Sequence, residues 1–189
     1  MSRHLQRLAL IAPIAILLAI VAVVLLFPKA DARAKPVETS PFFERSNVDY
    51  AGFEALTSEV AAYRETRLIS LTQFMEMAQD PDTLILDTRS ARAFEEGHIA
   101  GAVHLNFSDF TKESLAEAIG DKSRRILIYC NNNFADDVAP VMEKRVELAL
   151  NIPTFVNLYG YGYANVYELG ELIEIEDLST AWVRGTPLL

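Results

Sequence analysis

The chain is predicted to be an α/β protein with an open parallel sheet flanked by helices. The runs Thr83-Leu84-Ile85-Leu86 and Ile126-Leu127-Ile128-Tyr129 are continuously apolar, the pattern of strands buried on both faces of a parallel sheet. Segments with helical spacing of apolar residues separate such runs, and strands alternating with helices argue for a parallel α/β architecture. The punctuation agrees. Ser70 and Ser90 stand where helices start, and Gly97 and Gly120 stand where they stop.

The N-terminal part reads differently from the rest. Arg3 and Arg7 precede an uncharged apolar stretch from Leu8 to Phe27. At about 1.5 Å of rise per residue its 20 residues can cross a bilayer core of roughly 30 Å. Ala30-Asp31-Ala32 also offers small residues for signal-peptide cleavage after Ala32. Residues 1–32 are therefore expected to be a transmembrane anchor or a signal peptide. The basic head favours export. The domain is then membrane-anchored outside the cytoplasm through residues 8–27, or soluble and periplasmic after cleavage. Residues 33–48, in a stretch holding Pro28, Pro36 and Pro41, read as a linker.

The remaining elements follow in order. From Asp49 to Arg64, Tyr50, Phe53, Leu56, Val60 and Tyr63 recur at helical spacing, so residues 49–67 form an N-terminal amphipathic helix ahead of a main domain at 68–189. Ser70 and Gln73 make a capping box for a short helix ended by Asp80-Pro81. The first strand is 83–86. Ser90 caps a helix that ends at Gly97, and Ala102 to Leu105 is a second strand. Residues 111–119 form a helix with Leu115 and Ile119 inward. Ile126 to Tyr129 is the third strand. A helix is expected over 137–150, with Val138, Val141, Met142, Val146 and Ala149 on one face and Pro140 in its first turn. Thr154 to Leu158 is expected as the fourth strand, and residues 164–172 as a last helix. Trp182 is expected to anchor the C-terminal segment on the core. The acids of 173–177 are expected on a solvated face or edge strand.

Ligands of open parallel sheets bind beyond the carboxyl ends of the strands. Asp87-Thr88-Arg89, Cys130 onward and Tyr159 to Tyr163 are expected there. Cys130 is the sole cysteine, so it has no intrachain disulfide partner. Backbone N–H groups and a helix start beside it favour the thiolate, the nucleophilic form. The tyrosines read either as packing around a glycine turn or as an aromatic rim over the cysteine. The chain has a net charge of −9. Without residues 1–32 it holds 14 basic and 25 acidic side chains, which speaks against nucleic acid as a partner.

Leu84 to Arg89, followed by Phe94-Glu95-Glu96-Gly97-His98-Ile99-Ala100-Gly101-Ala102, resembles the opening signature of rhodanese-like domains. Cys130 matches the position of that family's active-site cysteine. The resemblance covers about residues 68–172. It implies a single-domain sulfurtransferase: Cys130 accepts sulfane sulfur from a small sulfur-containing substrate such as thiosulfate or a polysulfide. The resulting persulfide passes its sulfur to cyanide or a thiol, including a thiol acceptor protein. Asn131, Asn132, Asn133, Phe134, Ala135 and Asp136 are implied as the substrate-binding loop, with their N–H groups as an anion nest. Asp87 and Arg89 are expected to support the loops as an ion pair, and His98 to be structural. Neither metal nor organic cofactor is implied.

The loop also departs from the family. Ala135 stands where many members carry a cation, Asp136 and Asp137 follow, and no cation lies between Cys130 and Lys144. Asp136 likewise occupies the place of the arginine in a Cys-x5-Arg phosphate loop, which argues against a phosphatase. The alternative reading is a rhodanese-fold module of weak turnover, acting in binding or redox sensing.

Overall fold

The computed structural model describes residues 46–185. The expected apolar helix over 8–27, Ala32 and most of the 33–48 linker lie outside that range. Among the described residues, no helix is long and apolar enough to cross a membrane.

The first helix, α1 (Tyr50–Glu65), opens on Asp49, whose side chain accepts the Gly52 N–H at 2.9 Å. Its apolar stripe is buried only in part: Leu56, Val60 and Tyr63 pack on the core, while Tyr50 and Phe53 are 83% and 53% exposed. The partner helix α5 (Asn151–Gly160) ends beside Leu56, and among the described residues the first turn of α1 stays exposed. Next, β1 (Leu68–Ile69) leads into α2 (Leu71–Met77), which carries the expected Ser70–Gln73 capping box. Strand β2 (Thr83–Asp87) and helix α3 (Ala91–Glu96), capped by Ser90, follow as read from sequence. Then come β3 (His98–Ile99), β4 (Val103–His104), α4 (Lys112–Ile119) and β5 (Arg125–Tyr129). Gly120 ends α4 at φ 81°, a conformation that suits glycine.

Beyond β5 three expectations are corrected. Residues 137–150 are not an α-helix but an irregular segment with one short 3-10 turn, Val146–Leu148. Of the expected inward face, only Val141 is fully buried, and Val138, Met142 and Val146 are exposed. Side chains hold this backbone in place of helical bonds. Asn131 Nδ2 donates to Met142 O at 2.9 Å, Asn132 bonds both N–H and C=O of Lys144, and Asp137 accepts the Glu143 N–H. Such side-chain bonds compete directly with helix formation. The expected strand at 154–158 lies inside α5, which accommodates Pro153 in its first turn. The expected helix at 164–172 is instead strand β6 (Val166–Leu169). The Tyr159–Tyr163 turn consequently precedes a strand and sits at the amino edge of the sheet, away from Cys130. Strand β7 (Trp182–Val183) pairs antiparallel with β3.

The main sheet is parallel, in the order β1-β6-β5-β2-β4. Sequence direction reverses between β2 and β5, the crevice where such sheets take ligands. One core packs Ile85, Leu127, Tyr129 and Leu169 against Phe74, Phe94 and Phe134. The opposite face packs Leu84, Leu86, Ile126, Ile128 and Val166 against α1, α4 and α5.

A buried ionic clamp closes the carboxyl edge of the first face. Arg89 Nε lies 3.0 and 3.1 Å from the two Asp87 carboxylate oxygens, and Nη2 lies 2.6 Å from Oδ2. Nη2 also donates to Gly97 O at 2.7 Å. Tyr129 Oη donates to Asp87 Oδ2 at 2.6 Å and accepts the Ile99 N–H at 3.1 Å. Burial works against the Arg89 charge, but Asp87 outweighs it and holds the guanidinium pKa above its ordinary value. His98 has the expected structural place, with its ring stacked on Phe94 at 3.7 Å and Nδ1 2.7 Å from Phe94 O. Trp182 packs so closely over Gly97 that a Cβ there would meet the indole at 2.5 Å.

Asp87→Asn is expected to lower unfolding free energy by about 3–5 kcal/mol in urea titrations, because it leaves Arg89 buried without its counter-charge. A loss below about 1 kcal/mol, the range of exposed pairs, would show that the clamp is dispensable.

Candidate functional site

Side chains alternate along a strand, so Tyr129 and Cys130 face opposite sides of the sheet. Tyr129 enters the clamp, and Cys130 faces the α1/α5 side. There it lies on the wall of a cavity of about 530 Å³. Helix α1 supplies Val60, Ala61 and Arg64 to this cavity, α5 and the residues before it supply Ala149, Asn151 and Phe155, and β6 supplies Glu168 and Leu169. The first helix is thus a wall of the site rather than an appendage ahead of the domain. Val146, Ile152 and Leu172 line the cavity while remaining largely exposed.

Cys130 is 1% exposed and is a free thiol. Burial pushes its pKa up, and the Glu168 carboxylate pushes the same way. The backbone N–H groups of Asn151, Asn132 and Leu150 act in the opposite sense. Two of these belong to the start of α5, where N–H groups are free of helical partners. A 3-10 turn over Asn131–Asn133 follows Cys130, and the α-helical N-terminus that reaches the thiol is that of α5 in place of the expected helix over 137–150. The sum of these effects is a raised thiol pKa, which decides a balance between loop amides and carboxylates that the sequence left open.

The implied substrate loop divides. Asn132 and Asn133 line the cavity. Asn131 bonds the backbone of Met142, and Phe134 turns into the opposite core, packing edge-on against Tyr129 and Trp182. Ala135 donates its N–H to Ile173 O at 2.7 Å, and Asp136 accepts the Ile175 N–H at 2.9 Å. Three N–H groups of the expected nest, those of Asn133, Phe134 and Ala135, are spent on backbone carbonyls, whereas the Asn132 N–H acts on Cys130. Asp87 and Arg89 stay within the clamp and do not line the cavity.

Three residues that sequence reasoning missed complete the site. Glu168, 3% exposed, is paired with Arg64 through two bonds, Nε–Oε2 at 2.6 Å and Nη2–Oε1 at 2.5 Å. Asn151 Nδ2 donates to Glu168 Oε1 at 3.1 Å and to Asn133 Oδ1 at 3.0 Å. Asn133 Oδ1 also accepts the Cys130 N–H at 2.9 Å. A continuous polar chain therefore runs from Arg64 through Glu168, Asn151 and Asn133 to the backbone of Cys130. The glutamate bond raises the Arg64 pKa further, although burial opposes it. The available signal was Glu168 itself, a lone acid within Val166-Tyr167-Glu168-Leu169. It registers as buried only once that run is read as a strand.

The family described as Rhodanese-like domain matches residues 70–170. The chain is 29% identical over 117 residues to the tRNA uridine(34) hydroxylase of Hamiltonella defensa subsp. Acyrthosiphon pisum (strain 5AT), covering 60% of this chain and 28% of that protein. It is 36% identical over 67 residues to the tRNA uridine(34) hydroxylase of Bacillus pumilus (strain SAFR-032), covering 33% of this chain and 20% of that protein. The chain thus spans about a quarter of the length of the curated relatives it matches. It is also similar to the crystal structure of the Rhodanese_3 like domain of the Alr3790 protein from Anabaena sp. That likeness has 19% identity and a TM-score of 0.38, covering 57% of this chain and 97% of that one.

A raised pKa keeps Cys130 protonated to higher pH than a free thiol. Its alkylation by iodoacetamide is expected to rise with pH through a midpoint above that of a cysteine peptide measured alongside. Glu168→Gln removes one of the raising charges, so the midpoint moves down. A wild-type midpoint at or below the peptide's would show that the N–H groups outweigh burial.

Proposed function

The chain belongs to the rhodanese-like domain family, and on that premise we propose that Cys130 carries sulfane sulfur as a persulfide. One observation carries the reading: the sole cysteine stands at the carboxyl end of a central strand, on the wall of a cavity, with three backbone N–H groups around it. The thiolate attacks the outer sulfur of a donor such as thiosulfate or a polysulfide. The donor S–S bond breaks, and sulfite or the shortened polysulfide leaves with the electron pair. Cyanide or a thiol then attacks the outer sulfur of the persulfide, and Cys130 leaves as thiolate. The outer sulfur stands about 2.05 Å from Sγ, so open space is required there, and the cavity supplies it. The N–H groups of Asn151, Asn132 and Leu150 suit an anion at either stage.

The basic head and apolar run of residues 3–27 support an exported setting for this chemistry. The named relatives act on a tRNA uridine, whereas a net charge of −9 speaks against an RNA substrate here. The second reading, a binding or redox-sensing module, draws on the burial of Cys130 and on the loop without a cation.

The test is intact mass of the full chain after incubation with inorganic polysulfide and again after cyanide. One added sulfur is expected on the wild type, lost on cyanide treatment and absent in Cys130→Ser. A folded protein with a titratable thiol that gains no sulfur would sink the carrier reading and leave the binding module.

A further inference from the structure

We infer that the cavity selects an organic hydropersulfide with an apolar, uncharged body as sulfur donor over one whose body carries an anionic group, the Arg64–Glu168 pair being the selecting element. The inference rests on the carrier reading above and names its substrate class.

Size and lining come first. About 530 Å³ is within the range of cavities that enclose whole organic ligands, far more than thiosulfate fills. Beside Cys130 the walls are largely aliphatic and aromatic, with Val60, Leu68, Val146, Phe155, Val156 and Leu172 among them. Apolar surface of this kind stabilises a hydrocarbon body and offers nothing to an inorganic dianion.

Charge points the same way. Among the described residues Arg64 is the one cation lining the cavity. Glu168 engages its Nε and Nη2, and Nη1 lies 3.5 Å from Glu65 Oε1. The bidentate fork that would clamp an anion is therefore occupied. Glu65 and Glu171 bring two more carboxylates to the lining, so an incoming anion meets net negative charge. The pair is only part-buried, with side-chain exposures of 30% for Arg64 and 4% for Glu168, so the guanidinium stands at the cavity wall with its charge already met by a carboxylate.

The transfer balances without an added oxidant. Cys130 thiolate attacks the outer sulfur of R–S–S–H, forming the Cys130 S–S bond as the donor S–S bond breaks. R–S⁻ leaves and takes the proton from the new persulfide, the stronger acid. The products are Cys130–S–S⁻ and R–SH.

The test compares rates of sulfur loading on the full chain, read by quenched intact mass, for benzyl hydropersulfide and its 4-carboxylate analogue. The two share a reacting group and a shape, so their ratio isolates the charge preference. Benzyl hydropersulfide is expected to load about tenfold faster, and thiosulfate to trail both. Glu168→Gln frees the Arg64 fork and brings the ratio toward one. Ala149→Phe, at the partly exposed lining, narrows the cavity and slows the benzyl donor more than it slows inorganic polysulfide. Polysulfide loading with equal rates for the two hydropersulfides, or a faster carboxylate, would overturn the selection alone. Loading from no donor, polysulfide included, removes the carrier reading and the selection with it.

Discussion

The Asp87 carboxylate is the fixed point of the sheet's carboxyl edge. It receives a guanidinium and a phenol, both buried, and through them it joins the end of β2, the α3–β3 turn and the end of β5. Asp87 is fully buried, so bulk solvent does not replace a lost partner and each contact constrains the next. Tyr129 is the last residue of β5, and fixing its hydroxyl fixes where the strand stops. Cys130 then has one direction left to it, since strand alternation turns it to the other face. Charges on one side of the sheet thus set the position of a thiol on the other, without touching it.

On the cysteine side a second polar system does a different task. Asn133 and Asn151 are both buried, and between them they bond Glu168, the Leu169 carbonyl and the Cys130 N–H. This ties the turn after β5 to the start of α5 and to β6. The N–H groups around the sulfur are held at a fixed separation because their carriers are held. Preorganised donors of this kind need no reorganisation when charge appears on the sulfur.

How far the sequence revealed all this depended on whether a segment's structure is set locally. Strands β2 and β5 were legible because a parallel sheet leaves no polar face to confuse the pattern. The caps at Ser70, Ser90 and Gly120 were legible because capping is a short-range bond. The segment 137–150 was not. Its apolar residues have helical spacing, but Asn131, Asn132 and Asp137 take its backbone groups, and Val138, Met142 and Val146 stay exposed among the described residues. Interchanging helix and strand over 151–169 has another cause. Thr154-Phe155-Val156-Asn157-Leu158 is a short apolar run, which periodicity cannot assign between strand and buried helix. That one exchange moved the tyrosine turn to the wrong edge of the sheet and hid Glu168. Cys130, Asn132 and Asn133 were legible as neighbours along the chain. Arg64, far away in sequence, was not, since only the packing of α1 on α5 brings it to the cavity.

The absent loop cation and the raised thiol pKa then belong together. A cation beside Cys130 would hold a standing thiolate, and an accessible thiolate is the form most readily oxidised. Burial with a carboxylate nearby keeps the resting thiol neutral, so nucleophilicity is limited until a donor occupies the cavity. A persulfide is more acidic than the thiol that bears it, and its outer sulfur lies farther out into the cavity. In the proposed persulfide that greater acidity works against the burial and the carboxylate that disfavour charge on Sγ. On the proposed carrier reading, an anion is therefore held more easily in the loaded state than in the empty one.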